Sequence, residues 1–206
     1  MQYGVIDYRI SHPATKGDFA LMRGLARQLI GEPVLFGAIS YPRELTIHFG
    51  SPVEFRGPKG KVLTEGTYVL GTVGSAWNVK SAPQGRQVVD MSRLPRPVGA
   101  MPPYPAISDG DFKQFLKKLS GTTVRDVDIY NHKDGYSLQV FFSDGSLVEV
   151  IPTSDHFAEV DVNDPFPVPP PDWELFTPYN HYLRVGPGFE WRYAPSDKPE
   201  EAPVGK

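Results

Sequence analysis

The chain has 206 residues, among them 20 Gly and 22 Pro, with 40% apolar and 12% aromatic residues and a formal charge of −3. That apolar content is enough for a packed core and excludes wholesale disorder, and the length admits one large domain or two small ones. The absence of Cys excludes disulfide scaffolds, thiol nucleophiles, iron–sulfur clusters and Cys-ligated zinc.

The opening MQYGVIDYRISHP has no basic stretch followed by an apolar run of signal-peptide length, and no later run approaches the ~18 residues of a membrane span. The expectation is a cytoplasmic protein with no membrane partner. After a strand over 3–10, Asp18 is placed to cap a helix over 18–30. There Met22, Leu25, Ala26 and Leu29 recur at steps of three and four, and Gly31 supplies the stop. Strands follow at 34–40 and 45–49, the latter with Leu45, Ile47 and Phe49 on one face and His48 on the opposite, solvated face. Gly57-Pro58-Lys59-Gly60-Lys61 lacks the spacing of a phosphate loop and reads as a hairpin tip. Strands at 67–72, 76–80 and 86–90 complete this part.

Pro95, Pro97, Pro102, Pro103 and Pro105 exclude helix and central strand and mark a connector. Beyond it, Phe112, Phe115, Leu116 and Leu119 predict a helix over 109–119, again closed by a glycine, Gly121. Strands are expected at 124–130 and 138–142. Ser143-Asp144-Gly145-Ser146 then forms a tight turn into 147–150. A second cluster, Pro165, Pro167, Pro169, Pro170 and Pro171, precedes strands at 172–177, 181–185 and 189–193.

These elements align with themselves. Leu29, Gly31 and Val34 fall on Leu119, Gly121 and Val124, while Leu45, Ile47 and Phe49 fall on Leu138, Val140 and Phe142. Tyr68, Leu70, Thr72 and Trp77 are matched to Trp173, Leu175, Thr177 and Tyr182. Offsets that change only at loops are the mark of an internal repeat. The expected fold is therefore α+β and mostly β, as two tandem pseudo-repeats, each an amphipathic helix followed by an antiparallel β-meander. The halves are 1–92 and 108–194, joined by a proline-rich linker at 93–107 and followed by a disordered tail at 195–206.

Leu138-Gln-Val-Phe-Phe-Ser-Asp-Gly-Ser-Leu147, Trp173-Glu-Leu-Phe-Thr-Pro178 and Leu183-Arg-Val-Gly-Pro-Gly188 with Trp191 resemble a pattern that recurs in uncharacterised small bacterial proteins. Thr67 to Trp77 is similar to its counterpart in the first half. The resemblance implies bacterial or phage origin and a meander fold, and carries no catalytic residue to transfer. Immunity and other inhibitor proteins encoded beside toxins are a frequent role in that class.

Charge carries the main functional signal. Residues 1–100 hold twelve Lys/Arg and seven Asp/Glu, residues 101–206 nine and seventeen, so +5 faces −8. Between 134 and 183 nine acids stand without one Lys or Arg. Such a stretch repels itself unless it is solvated, ion-bound or matched by a basic partner. Asp144, Asp155, Glu159, Asp161 and Asp164 would steer a basic protein partner, with Phe157 and Trp173 as anchors. The same aromatics, with Trp77 and Trp191, also suit a core.

Two other readings stay open. Asp155, His156, Glu159 and Asp161 could hold a divalent ion for metal-assisted hydrolysis, and a small ligand could sit between the halves. No nucleophile elbow, dinucleotide fingerprint or paired-His motif occurs, so no cofactor is expected. The acidic charge and the lack of a Lys/Arg run disfavour nucleic acid. The favoured expectation is a binding protein of immunity type that masks a basic effector.

Overall fold

The structure, a computed structural model, describes residues 16–40, 44–73, 75–81, 86–90, 109–133, 135–152, 172–178, 181–186, 188 and 191–195. The strand expected at 3–10, both proline clusters and the tail from 196 lie outside these residues.

Helix α1 spans Lys16–Ala26 and tightens into one 3-10 turn at Arg27–Leu29. Asp18 lies inside its first turn, where a carboxylate complements the positive end of the helix dipole. Met22, Leu25, Ala26 and Leu29 are buried, as their spacing requires. Helix α2 spans Asp109–Leu119 and buries Phe115, Leu116 and Leu119. Both helices are followed by a glycine at positive φ, Gly31 at 92° and Gly121 at 84°, a conformation that costs other residues a Cβ clash.

The strands, in chain order, are β1 (Val34–Ser40), β2 (Glu44–Arg56), β3 (Val62–Val73), β4 (Ala76–Ser81), β5 (Arg86–Asp90), β6 (Val124–His132), β7 (Gly135–Phe142), β8 (Leu147–Ile151), β9 (Asp172–Thr177), β10 (His181–Val185) and β11 (Trp191–Pro195). They form two antiparallel sheets, one in the order β1-β2-β3-β9-β10-β11 and the other β5-β4-β8-β7-β6. The chain is thus mostly β with few helices, as the alternating sequence predicts.

The expected meander forms only in part: β1-β2-β3 and β6-β7-β8 are antiparallel meanders, and the strands after them go to the other sheet. β1–β3 continue into β9–β11 from the far end of the chain, and β8–β6 continue into β4 and β5 from the first half. The helices cross as well: α1 packs on β6 and α2 on β1. Where the two crossings meet, the Gly31 N–H donates to the Val124 carbonyl and the Gly121 N–H to the Val34 carbonyl, both at 2.9 Å. The Val34 N–H reaches the Thr122 carbonyl at 2.8 Å and the Val124 N–H the Glu32 carbonyl at 2.9 Å. Both helices and both sheets feed one hydrophobic core, which includes Phe49, Trp77, Phe142 and Trp173.

This topology corrects one alignment. β3 is the third strand after α1 and β9 the fourth after α2, so strand order does not set Tyr68, Leu70 and Thr72 against Trp173, Leu175 and Thr177; β3 and β9 are instead paired neighbours, with Leu70 opposite Leu175 and Thr72 opposite Trp173. His48 is also misplaced by the alternation argument. It faces away from the core yet is only 8% exposed, because its ring stacks on Phe36 at 4.1 Å between centroids and its Nδ1 accepts the Gly66 N–H at 3.1 Å.

Candidate functional site

Of the residues expected to meet a partner, Asp155, Phe157, Glu159, Asp161 and Asp164, together with His156, lie outside the described residues. Asp144 is exposed at the β7–β8 turn. Its Oδ1 accepts the Ser146 N–H at 2.9 Å and the Ser146 hydroxyl at 2.6 Å, so it shapes the turn while keeping its charge in solvent. Trp173 is wholly buried and donates its indole N–H to the Tyr136 carbonyl at 2.9 Å. That position corrects its assignment as an anchor: it is a core residue, and no partner reaches it in the folded chain. Its period-two spacing with Leu175 is the signal that places it there.

Two more acids of the same stretch are engaged internally. Glu174 pairs with Arg184 on the neighbouring strand β10. Glu149 lies in a polar row across the face of the second sheet turned away from the core. The row follows strand register: Asp128 on β6 stands opposite Gln139 on β7, Gln139 opposite Glu149 on β8, and Glu149 opposite Asn78 on β4. Gln139 donates to Glu149 Oε1 at 2.8 Å, Asn78 donates to Oε2 at 3.3 Å, and the Tyr130 hydroxyl from β6 also donates to Oε1. Asp128 is held by Arg23 of α1.

The electrostatics follow from these partners. Burial pushes the Glu149 carboxyl up, but the Tyr130, Gln139 and Asn78 donors and the charge of Lys80 together bring it below the usual carboxylate value. For Tyr130, burial comes first and the Glu149 hydrogen bond and charge add to it, so the phenol is raised well above its ordinary value. A carboxylate kept ionised by donors on both oxygens is a poor proton acceptor. Chemically the row fixes a negative charge in place and does not poise it for transfer. Three of its members, Asn78, Tyr130 and Gln139, escape sequence reasoning, since three different strands bring them to Glu149 and no local spacing announces it.

Among the described residues no group of three or more His, Asp or Glu side chains is arranged to hold a metal ion. None of the described helices is long and apolar enough to cross a membrane. The chain matches no family, no curated protein and no solved structure.

Proposed function

We propose that the chain is an intracellular binding protein of immunity type, which masks a basic effector by occlusion through the acidic surface of its second half. The observation that carries this reading is the division of charge: −8 over residues 101–206 against +5 over 1–100, with no Lys or Arg between 134 and 183. The fixed, ionised Glu149 and the solvent-facing Asp144 support it, because both contribute field without chemistry. Trp173 has no part in the interface. The anchoring aromatic of this reading is Phe157.

We also read the chain as two tandem pseudo-repeats. The element order helix then five strands occurs from α1 to β5 and again from α2 to β10, and the hydrogen bonds of Gly31 and Val34 recur at Gly121 and Val124. On this reading Trp77 corresponds to Trp173, each standing on the strand that crosses into the other sheet.

The test is co-expression with the product of the neighbouring gene in the native host. The expected result is protection from that product's toxicity and a stable complex whose association slows steeply as salt rises from ~0.01 M to ~0.1 M and the Debye length falls from ~30 Å to ~10 Å. Replacing Asp155, Glu159 and Asp161 by their amides should lower the on-rate more than it raises the off-rate. Unchanged kinetics in that variant at low salt would overturn the reading.

A further inference from the structure

Strands of the two halves meet where β3 and β9 lie side by side in the middle of the six-stranded sheet. Leu70 on β3 and Trp173 and Leu175 on β9 belong to the core. By alternation Gly71 and Glu174, which pair across this seam, belong to the face turned away from it. On that face the row through Gly71 reads Thr46 on β2, Gly71, Glu174 and then Arg184 on β10. The row beside it reads His48, Val69, Phe176 and Tyr182, and there His48, Val69 and Tyr182 are buried. The layer of side chains is thus filled beside Gly71 and absent over it, and Gly71 is partly exposed.

A glycine inside a strand weakens it, and it is found there for a bulge, for a backbone conformation closed to other residues, or for the close approach of another backbone or a ligand. The first three reasons are absent at Gly71. Its register is unbroken between Thr46 on one side and Glu174 on the other, and its φ is not positive. Nothing lies within 4 Å of the Cβ that a larger residue would carry there, whereas a Cβ at Gly66 would stand 2.4 Å from the Phe49 carbonyl oxygen and one at Gly37 would stand 2.7 Å from Leu116. A ligand remains. Glu174 points the same way. It is only 8% exposed, and Arg184 donates from both Nε and Nη2 to the same oxygen, Oε1. Oε2 accepts no hydrogen bond among the described residues, and the neighbour of Glu174 on the side away from Arg184 is Gly71, which has no donor to reach it. A buried carboxylate oxygen without a donor is costly.

We propose that the space over Gly71 is a binding site for a small organic ammonium with a flat apolar body, of the arylmethylamine class. The ammonium donates to Glu174 Oε2 in a charge-assisted bond, so the carboxylate lies between this cation and Arg184. The body rests on the glycine floor and ends against Val69 and Phe176. Thr46 and Glu174 stand two ladder spacings apart, ~9.5 Å between strand axes, which leaves between their side chains the breadth of one ring. An anion of the same shape is repelled by Glu174. The site lies on the seam between the halves, where the sequence leaves room for a small ligand, and it does not depend on the acidic surface proposed above.

The test uses the full chain in an NMR titration with benzylamine, and with benzyl alcohol and benzoate as neutral and anionic probes of the same shape. Benzylamine is expected to bind saturably, with shift changes at Thr46, Gly71 and Glu174. It should bind about tenfold or more tighter than either counterpart, the ratio that one hydrogen bond to a charged group supplies. Gly71→Ala should weaken binding and Gly71→Val abolish it, while thermal unfolding stays cooperative. Glu174→Gln should bring benzylamine to the level of benzyl alcohol; if that variant loses its fold with Arg184 left unpaired, the two Gly71 variants decide. Nα-acetyl-lysinamide, which carries the ammonium a partner protein would offer, should bind more weakly than benzylamine. No saturable binding of benzylamine, equal binding of the three probes, undiminished binding by a folded Gly71→Val variant, or preference for the lysine derivative would each overturn the proposal. None of these outcomes bears on the masking of a basic effector, which the Gly71→Val variant should retain.

Discussion

A carboxylate taken out of water is costly unless donors replace the lost solvent, and Glu149 shows how a sheet does this with neutral groups from three other strands. Because its folded pKa lies below the ordinary one, Glu149 contributes stability above the unfolded carboxyl pKa and loses it as pH falls through the folded value. Tyr130→Phe removes one donor and raises the folded pKa. It should cost ~1–3 kcal/mol at neutral pH, and acid unfolding followed by circular dichroism should begin at a higher pH. Phe142 is fully buried, so Phe142→Ala should cost ~3–5 kcal/mol in denaturant titration. That burial was legible, since Leu138, Val140 and Phe142 recur at a period of two with Gln139 and Phe141 between them. Glu149 was not, because sequence shows an acid in a strand and says nothing of what the adjoining strands place beside it.

Strands that bury one face were legible with near-correct limits, and both helices with them, because burial imposes a period. The far part of the β2–β3 hairpin was not. Beyond Phe49 the residues Ser51 to Arg56 have no buried face to set an alternation, and among the described residues the strand there pairs with β3 alone. Two glycines of β3 behave oppositely. Gly66 has backbone of Phe49 where its Cβ would go, while nothing described lies within 4 Å of a Cβ at Gly71 on the same strand. Gly66→Ala should therefore cost ~1–3 kcal/mol through forced displacement of β2. Gly71→Ala should be neutral or stabilise by ~0.5–1 kcal/mol. Melting temperatures of the two variants check the contrast, and equal effects would mean that the close approach at Gly66 relaxes without cost.

At the level of the whole molecule, alternation tells which face of a strand is buried and not which strand lies beside it, so the exchange of strands between the sheets was invisible in the sequence. Its energetic meaning is testable by fragmentation. Residues 1–100 lack the β8 partner of β4 and the β9 partner of β3, and residues 101–206 lack the reciprocal edges. Neither fragment should unfold cooperatively alone, and their mixture should recover a single transition in circular dichroism. A cooperative transition in fragment 1–100 by itself would show that the crossing contributes little.

The same crossing sets a schedule during synthesis. When β4 leaves the ribosome its neighbour β8 has not been made: Trp77 waits for Val150, and Leu70 of β3 waits for Leu175. At ~5–20 residues per second the first interval lasts on the order of 4–15 s. Through that time a strand bearing a tryptophan and a valine bound for the core has an uncovered edge, the hazard that unpaired strands present to neighbouring chains. Codon choice between β4 and β8 thus acts on yield without altering a single residue, and slow codons there lengthen the dependence of this chain on holding chaperones.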